Sequence, residues 1–465
     1  MVRELFDRQA AHRWTMAKTT AGERVARLTR LRDAIVEWRP EICAAIEADF
    51  GKHPVETELT EVLPVLEELA VATGHLDRWM RPRRVPTPFT LLGSRSVVRY
   101  EPRGQVLVLA PWNYPFLLAI DPVVAAVAAG NCVILRPSEK TPCVATVIQA
   151  LVASVFPDHE VAVVLGGRDL ADGLLNLPFD HVFFTGSTAV GRKVMAAAAR
   201  HLSSVTLELG GQSPVIVDET ADISAAAERI AWGKFVNGGQ TCVAPDYALA
   251  HTAVAEPLAE AIAGVVKRFY GQDEGARTDS PSFARMVNAD ACRRLDRAIA
   301  DTLAGGARLV IGGRVDADRR RVPPTVLAGV QPDSPILAEE IFGPVLPIVA
   351  FDTLERAVAH VRARPKPLAL YVFSRRQANI DFVLGSTTAG GTCVNQVVVH
   401  LANPHLPFGG VGDSGMGHYH GRFGFETMSH ARAVYTQTLP SSLRWLFPPY
   451  TARSETLMAM LRRLT

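Results

Sequence analysis

At 465 residues the chain exceeds the length at which one hydrophobic core usually stops growing, so two or more domains are expected. With 48% apolar residues, 21% charged residues and a formal net charge of +2, it has an ordinary globular composition, which excludes a disordered chain and gives nucleic acid no basic excess to bind. Its six cysteines, Cys43, Cys132, Cys143, Cys242, Cys292 and Cys393, form no C-x-x-C pair and no Cys/His group at zinc spacing, which argues for free thiols in a reducing compartment and against a metal centre.

The opening MVRELFDRQAAHRW interleaves charges with apolar positions and holds no secretory h-region. From residue 22 to about 80, apolar residues recur at three- and four-residue steps (Val25, Leu28, Leu31, Ile35, then Leu59, Val62, Leu66, Leu69), which predicts an amphipathic helical layer. Residues 81–103 are proline-rich and contain the alternating Ser96-Val97-Val98-Arg99-Tyr100, a linker followed by an exposed extended segment. The short basic run at 81–84, interrupted by Pro82, reads as a solvated face.

Short β-branched runs then alternate with alanine-rich ones: QVLVLA, DPVVAAVAAG, CVILRPSE, CVATVIQALVASV, EVAVVL, HVFFTGS, TAVGRKVMAAAAR and SVTLEL. Such alternation predicts a parallel sheet with helices on both faces. The most apolar stretch, 119–129, includes Asp121 and Pro122 and falls short of the ~20 residues that cross a bilayer, so no membrane span is expected. A second alternation begins after Asp218 and runs through AERIAWGKFVN, YALAH, a long helix near 256–270, RLVIGG, LPIVAF, LALYVFS and TCVNQVVV, predicting a second α/β domain. The stretch 407–438 opens with the glycine-dense PFGGVGDSGMGHYHG and ends in the strand-like AVYTQTL, which either returns to the first domain or extends to a partner. No repeat or low-complexity segment is present.

In open parallel sheets ligands bind beyond the carboxyl ends of the strands, so the residues closing each run carry the candidate chemistry. Cys242 lies in Asn237-Gly238-Gly239-Gln240-Thr241-Cys242-Val243, where paired glycines admit a ligand and a thiolate would attack a carbonyl; a lone cysteine is also a common core residue. Glu208, in Val205-Thr206-Leu207-Glu208-Leu209-Gly210-Gly211, is a carboxylate in an apolar strand, either a buried general base or a side chain alternating out to solvent. Asn113, in Pro111-Trp112-Asn113-Tyr114-Pro115, offers an amide to an oxyanion or simply makes a turn. Gly186, Ser187, Thr188, Ala189, Val190 and Gly191 join a strand to a helix, suited to a pyrophosphate or to an ordinary capped start. Glu139, after Arg136-Pro137-Ser138, accepts from ribose hydroxyls or opens the next helix.

Taken together and in order, PWNYP, RPSE, FTGSTAVGR, LELGG, GGQTCVAPDY, EEIFGPV and PFGGVGDSGMGHYHG resemble the aldehyde dehydrogenase superfamily from about residue 5 to about 450. CVAPDY, YHGRFGFETMSHAR and FPPYT resemble its class 3 branch, of the fatty-aldehyde and coniferyl-aldehyde dehydrogenase type. The resemblance implies that Cys242 attacks an aldehyde, that Asn113 and the Cys242 N–H hold the oxyanion, and that a nicotinamide takes the hydride. It further implies that Glu208 activates the water that hydrolyses the thioester. For the cofactor it implies contacts from Trp112, Arg136, Glu139, the 186–191 segment, Leu209, Gly210, Glu340 and Phe342, and for the substrate pocket Tyr114 and Asn395.

Two departures stand out. Arg136 replaces the usual lysine: a guanidinium favours the 2′-phosphate of NADP and Glu139 disfavours it, so NAD is expected with NADP possible. Gly239 stands where alanine is common, which predicts a looser loop. The implied fold is α/β, a Rossmann-type dinucleotide-binding domain with its helical layer (1–87 and 104–208), an α/β catalytic domain (209–406), a small β bridging element for oligomerisation (88–103 and 407–440) and a tail (441–465). The expected protein is a cytoplasmic homodimer without nucleic-acid partner or membrane span, oxidising a medium-chain aliphatic or aromatic aldehyde. The end of the chain, SETLMAMLRRLT from Ser454, is too short and too charged for an anchor. The rivals are a coenzyme-A-acylating dehydrogenase, against which Glu208 argues, and a non-catalytic structural or binding protein on the same fold.

Overall fold

The computed structural model describes residues 2–440 and 442–462, and the two strand-helix alternations close into two separate sheets. The last three residues of the tail expected from the sequence, 463–465, lie outside the described residues. In the first sheet the strand order is Gly415–Met416, Ser204–Leu209, His181–Gly186, Gln105–Leu109, Cys132–Arg136 and Val161–Val163. All pairings are parallel except that of the two-residue edge Gly415–Met416.

Every residue of Gln105–Leu109 and of Cys132–Arg136 is buried, because helices cover both faces of the sheet. The alternation of a strand divides these residues between two core clusters. Val106 and Val108 pack with the wholly buried helix Leu117–Ala129, while Leu107, Leu109, Leu207 and Leu209 pack with Val194 and Ala198 of the helix Thr188–Ala199. Glu208 therefore projects to the side of Leu117–Ala129. That side is not open to solvent: Glu208 is only 3% exposed, so the alternative of a solvated carboxylate does not hold. The helical layer predicted for 22–80 is present, with Ala21–Glu37 and Leu63–Met80 packed over Leu117–Ala129 and a further helix, Val2–Ala17, ahead of them.

The second sheet runs Arg308–Ile311, Thr325–Ala328, Val345–Phe351, Tyr247–His251, Pro214–Val217, Ala369–Phe373 and Gly391–Val394, parallel except at its first pair. The strand expected over TCVNQVVV stops at Val394, because Asn395 and Val398 take positive φ values of 54° and 66° that a ladder cannot continue through. The third sheet is antiparallel and joins Arg83–Val85, Ser94–Pro102 and Ser429–Gln437, the last two paired along their whole length. Ahead of that last strand, helix Gly421–Thr427 packs against Leu117–Ala129 and Leu63–Met80. No helix among the described residues is long and apolar enough to cross a membrane.

Asn131, fully buried, ties the start of the first sheet to the entry of the third. Its carbonyl accepts from Gly104 N at 2.8 Å and its amide donates to the carbonyls of Ala126 at 3.1 Å and Met428 at 2.9 Å. Replacing it by alanine removes the partners of the part-buried Gly104 N–H and of the Met428 carbonyl, while Ala126 O keeps its bond from the backbone N–H of residue 131. Asn131→Ala is expected to lower the unfolding midpoint in urea by a loss on the order of 2–4 kcal/mol, whereas an unchanged midpoint would show that these bonds contribute nothing.

Candidate active site

A cavity of about 210 Å³ opens where the two sheets meet, walled mainly by apolar side chains such as Leu59, Leu117, Leu118, Trp232, Val236 and Phe408. Cys242, Glu208, Tyr114 and Thr241 also line it. Cys242 follows the helix Ile223–Phe235 through a turn in which Asn237, Gly238 and Gly239 take consecutive positive φ values of 55°, 62° and 72°. A Cβ on Gly239 would stand 2.4 Å from the backbone of Gly343, so the loop is tightly packed at this point and the looser loop expected from the glycine does not occur.

The turn is pinned on every side. Glu56 accepts from Asn237 N at 2.8 Å, Gln240 donates to the carbonyls of Asn237 and Arg285 and accepts from Val287 N, and the Tyr371 hydroxyl donates to Val243 O at 2.5 Å. Tyr114 and Thr241 share a hydroxyl bond of 2.6 Å. The Asn113 amide donates to Gln240 O at 3.1 Å, two residues before the thiol, and its own carbonyl accepts from Asn237 at 2.7 Å. An amide nitrogen carries two hydrogens, so one remains for another acceptor. Burial pushes the Cys242 thiol up to about 12, and the carboxylates of Glu340 and Glu208 add to that, while the N–H groups of Cys242 and Val243 favour the thiolate.

Glu208 pairs in register with Thr185 on one side and Gly415 on the other. Neither of its carboxylate oxygens has a hydrogen-bond partner, and burial raises its pKa well above the ordinary carboxyl range. A buried, unpaired carboxyl that lines the same apolar cavity as a thiol has the chemistry to act as a general base.

A second crevice is lined by Thr188, Arg192, Gly210, Gly211, Glu340 and Asp413, among others. A Cβ on Gly210 would come within 2.1 Å of Glu340, so only glycine admits that carboxylate. Glu340 is raised to about 8 by burial and by Asp246. Gly186 and Gly191 likewise leave no room for a Cβ, against Phe184 and Leu209, and this lets the helix Thr188–Ala199 start close to the strand end. The Ser187 hydroxyl does not cap that helix. Ala189 and Val190 follow in its first turn, Val190 N donating to Ser187 O at 3.0 Å. Trp112 and Phe342 meet edge to face at 5.4 Å between ring centres, and Phe342 is held at φ 46°.

Asn395 is exposed and locks the end of strand Ala369–Phe373, accepting from Ser374 N and donating to Ser374 O, so it does not line the cavity. Arg136 spends its guanidinium on the Gly166 carbonyl, at 3.0 and 2.7 Å, and on the carboxylate of Glu139.

Several residues in the site escaped the sequence reading. Lys234, fully buried, lies 4.0 Å from Asp246, and its ammonium is lowered to about 8 by burial. Lys52, also fully buried, bonds Glu61 at 2.6 Å and stands over the Tyr114 ring at 4.6 Å, while Glu61 accepts from Phe116 N at 2.9 Å. A lysine inside the apolar AWGKFVN was a signal for the first; the second had none, since its partners are distant in sequence.

This geometry can be set beside known proteins. Residues 4–434 match the model of the aldehyde dehydrogenase family. The chain belongs to that family. It is 41% identical to a probable coniferyl aldehyde dehydrogenase of Pseudomonas aeruginosa, over 96% of this chain and 93% of that one. It is 42% identical to the dimeric NADP-preferring aldehyde dehydrogenase of Rattus norvegicus, over 92% and 94%. The solved structure of Staphylococcus aureus AldH in its substrate-bound state superposes with a TM-score of 0.94 at 41% identity, covering 99% of both chains. The relatives of this aldehyde dehydrogenase family member are thus oxidoreductases acting on aldehydes.

The raised Glu208 has a consequence for stability. The unfolded chain ionises this residue near the ordinary 4.5 and the folded chain resists, so as pH rises above that value the native state loses stability relative to a variant that cannot titrate. Glu208→Gln is therefore expected to be more stable than wild type by a margin that widens with pH above about 4.5, by at most about 1.4 kcal/mol per pH unit. Urea unfolding of both proteins from pH 5 to 9 checks this; parallel curves would show that Glu208 titrates normally.

Proposed function

We propose that this aldehyde dehydrogenase oxidises a medium-chain aliphatic or aromatic aldehyde to the carboxylic acid through a thiohemiacetal and a thioester on Cys242. The observation that carries the reading is that Cys242 and the unpaired Glu208 line one apolar cavity. Its walls suit an apolar aldehyde. Glu208 takes the Cys242 proton as the sulphur adds to the carbonyl, and the free hydrogen of Asn113 with the Cys242 N–H stabilises the oxyanion. After releasing that proton to solvent, Glu208 takes a proton from water at the thioester stage, and the water adds to the acyl carbon and expels the thiolate. A carboxyl with no other partner has no role in passing an acyl group to coenzyme A or in a purely structural protein, which favours hydrolysis over either rival.

The second crevice fits a nicotinamide dinucleotide. Gly210 leaves a space that Glu340 enters, and an uncapped helix start at Ser187 and Thr188, closely packed through Gly186 and Gly191, suits a pyrophosphate. When bound, that cofactor supplies the acceptor for two electrons and the hydrogen of the former aldehyde carbon. Glu340 would hold the nicotinamide ribose, Trp112, Phe342, Leu209 and Gly210 would flank the ring, and Glu139 would accept from the adenine ribose. The Nε and Nη2 of Arg136 are engaged by Gly166 and Glu139, which leaves Nη1 alone to offer a 2′-phosphate. NAD is thus the favoured cofactor, with NADP accommodated. We assign 1–87 and 104–208 to cofactor binding and 209–406 to catalysis. The exposed strand Ser429–Gln437, an edge of the third sheet, would extend that sheet to a second copy in a homodimer.

Formation of reduced nicotinamide with octanal or benzaldehyde tests the reading. Cys242→Ala is expected to lose turnover by about 10³-fold or more and Glu208→Gln by about 10²–10⁴-fold, whereas turnover by folded Cys242→Ala protein at the wild-type rate would sink it. Because both Cys242 and Glu208 must shed protons that burial makes them hold, kcat/KM is expected to rise with pH from neutrality into the alkaline range; a maximum below pH 6 would contradict this. Glu139→Gln, which frees Arg136, is expected to raise the NADP-to-NAD ratio of kcat/KM by about tenfold, and an unaltered ratio would remove Glu139 from cofactor choice.

A further inference from the structure

The cavity holds a polar group that the mechanism leaves unused. Asp121 comes from the helix Leu117–Ala129, Glu68 from Leu63–Met80 and His420 from the turn ahead of Gly421–Thr427. All three are buried, at 3%, 5% and 8% exposure, and all three line the same space as Cys242. Glu68 holds the backbone in place. Both its oxygens accept from Gly421 N at 2.8 Å, fixing a turn in which His420 sits at φ 80° and a Cβ on Gly421 would strike Pro404 O at 2.3 Å.

Asp121 has no comparable structural role. Its Oδ1 finds no hydrogen-bond partner, and its Oδ2 lies 4.0 Å from His420 Nε2, too far for a hydrogen bond. An unsatisfied carboxyl in an apolar wall destabilises the fold unless a ligand completes it. Leu118 N donates to Tyr114 O at 3.0 Å, so the helical path begins at Tyr114, and Tyr114, Leu118 and Asp121 follow one another down a single face. Tyr114 marks the catalytic end through its bond to Thr241, and Asp121 stands two turns further along the wall. Tyr419 lies between the two ends: after burial itself, Glu208, Asp121, Cys242 and Glu68 all raise its phenol.

The chemistry of the pair narrows the ligand. Burial, then the neighbouring Glu68, pushes the Asp121 carboxyl well above its usual range, and burial lowers His420 to about 4. Both shifts favour the uncharged forms, a carboxylic acid O–H on Asp121 and a neutral imidazole on His420. Such a pair both donates and accepts, which suits a neutral hydroxyl and gives neither an ammonium nor a carboxylate a counter-charge.

We propose that Asp121 and His420 form a subsite for a hydroxyl group carried by the aldehyde at the end remote from its carbonyl, so that the enzyme selects hydroxylated aldehydes over their plain counterparts. The inference rests on the reading that this cavity receives the aldehyde. A site whose buried polar groups are completed by a substrate hydroxyl discriminates against an analogue lacking it more strongly than any apolar pocket discriminates by size.

The test is kcat/KM of the full-length enzyme with NAD on three matched pairs: octanal and 8-hydroxyoctanal, decanal and 10-hydroxydecanal, 4-methylbenzaldehyde and 4-(hydroxymethyl)benzaldehyde. At least one hydroxylated member is expected to exceed its plain partner by about tenfold or more. Asp121→Leu is expected to bring that ratio toward one, and Asp121→Asn, which keeps a donor and an acceptor, to retain part of it. Wild-type enzyme that oxidises the plain aldehydes but prefers no hydroxylated one overturns the subsite alone, a result that needs no variant to fold. A preference that persists undiminished in Asp121→Leu also overturns it. Failure to oxidise any of the six aldehydes overturns the underlying reading of the cavity, and the subsite with it.

Discussion

An unpaired carboxyl held away from water constrains everything around it. Glu208 gains no hydrogen bond from the protein, so its position is fixed entirely by the strand that carries it, between Thr185 and Gly415 in register. Leaving it so is costly, on the order of 1–3 kcal/mol for a neutral polar group and more for a charged one. A site that tolerates this needs rigid walls, and the wholly buried strands of the first sheet with the wholly buried helix Leu117–Ala129 supply them.

The other partner of the reaction is placed by different means. Cys242 sits on irregular backbone, three consecutive left-handed residues before it, and irregular backbone holds its shape only when its polar groups are satisfied. Glu56, Tyr371 and Asn113 do that from three separate segments, and Gln240 from within the turn itself. Behind them the buried Lys52–Glu61 pair grips both the Tyr114 ring and the Phe116 amide, so the segment carrying Asn113 is anchored by an ion pair rather than by apolar packing alone. Removing either charge would strand the other in the core. The residues proposed as nucleophile, oxyanion donor and base, Cys242, Asn113 and Glu208, thus come from stretches far apart in sequence that meet only in the finished structure.

Much of this was legible in the sequence because it is written locally. The β-branched runs produced the parallel strands, and the paired glycines at 210–211 and 238–239 marked the places where backbone must come close to something else. Strand periodicity correctly set Glu208 opposite Leu207 and Leu209 but could not say what covered its face, since Leu117–Ala129 lies 79 to 91 residues earlier. Asn395 shows the reverse limit: the family resemblance placed it near the aldehyde pocket, whereas an amide ending a strand is more often structural, and its bonds to Ser374 make it a clasp. Lys52, Asp121 and His420 were silent for a common reason. Their meaning lies in contacts with residues distant along the chain, and no spacing within a motif encodes those.

The central claim is that the acyl group passes through Cys242 and waits there for Glu208. Glu208→Gln protein mixed with NAD and octanal, quenched in acid within one turnover and digested for mass spectrometry, tests it most directly. An octanoyl adduct on the peptide containing Cys242, formed at the same rate as a single equivalent of reduced nicotinamide, is the predicted result. Reduced nicotinamide formed without an adduct, or an adduct on any other cysteine, would contradict the account.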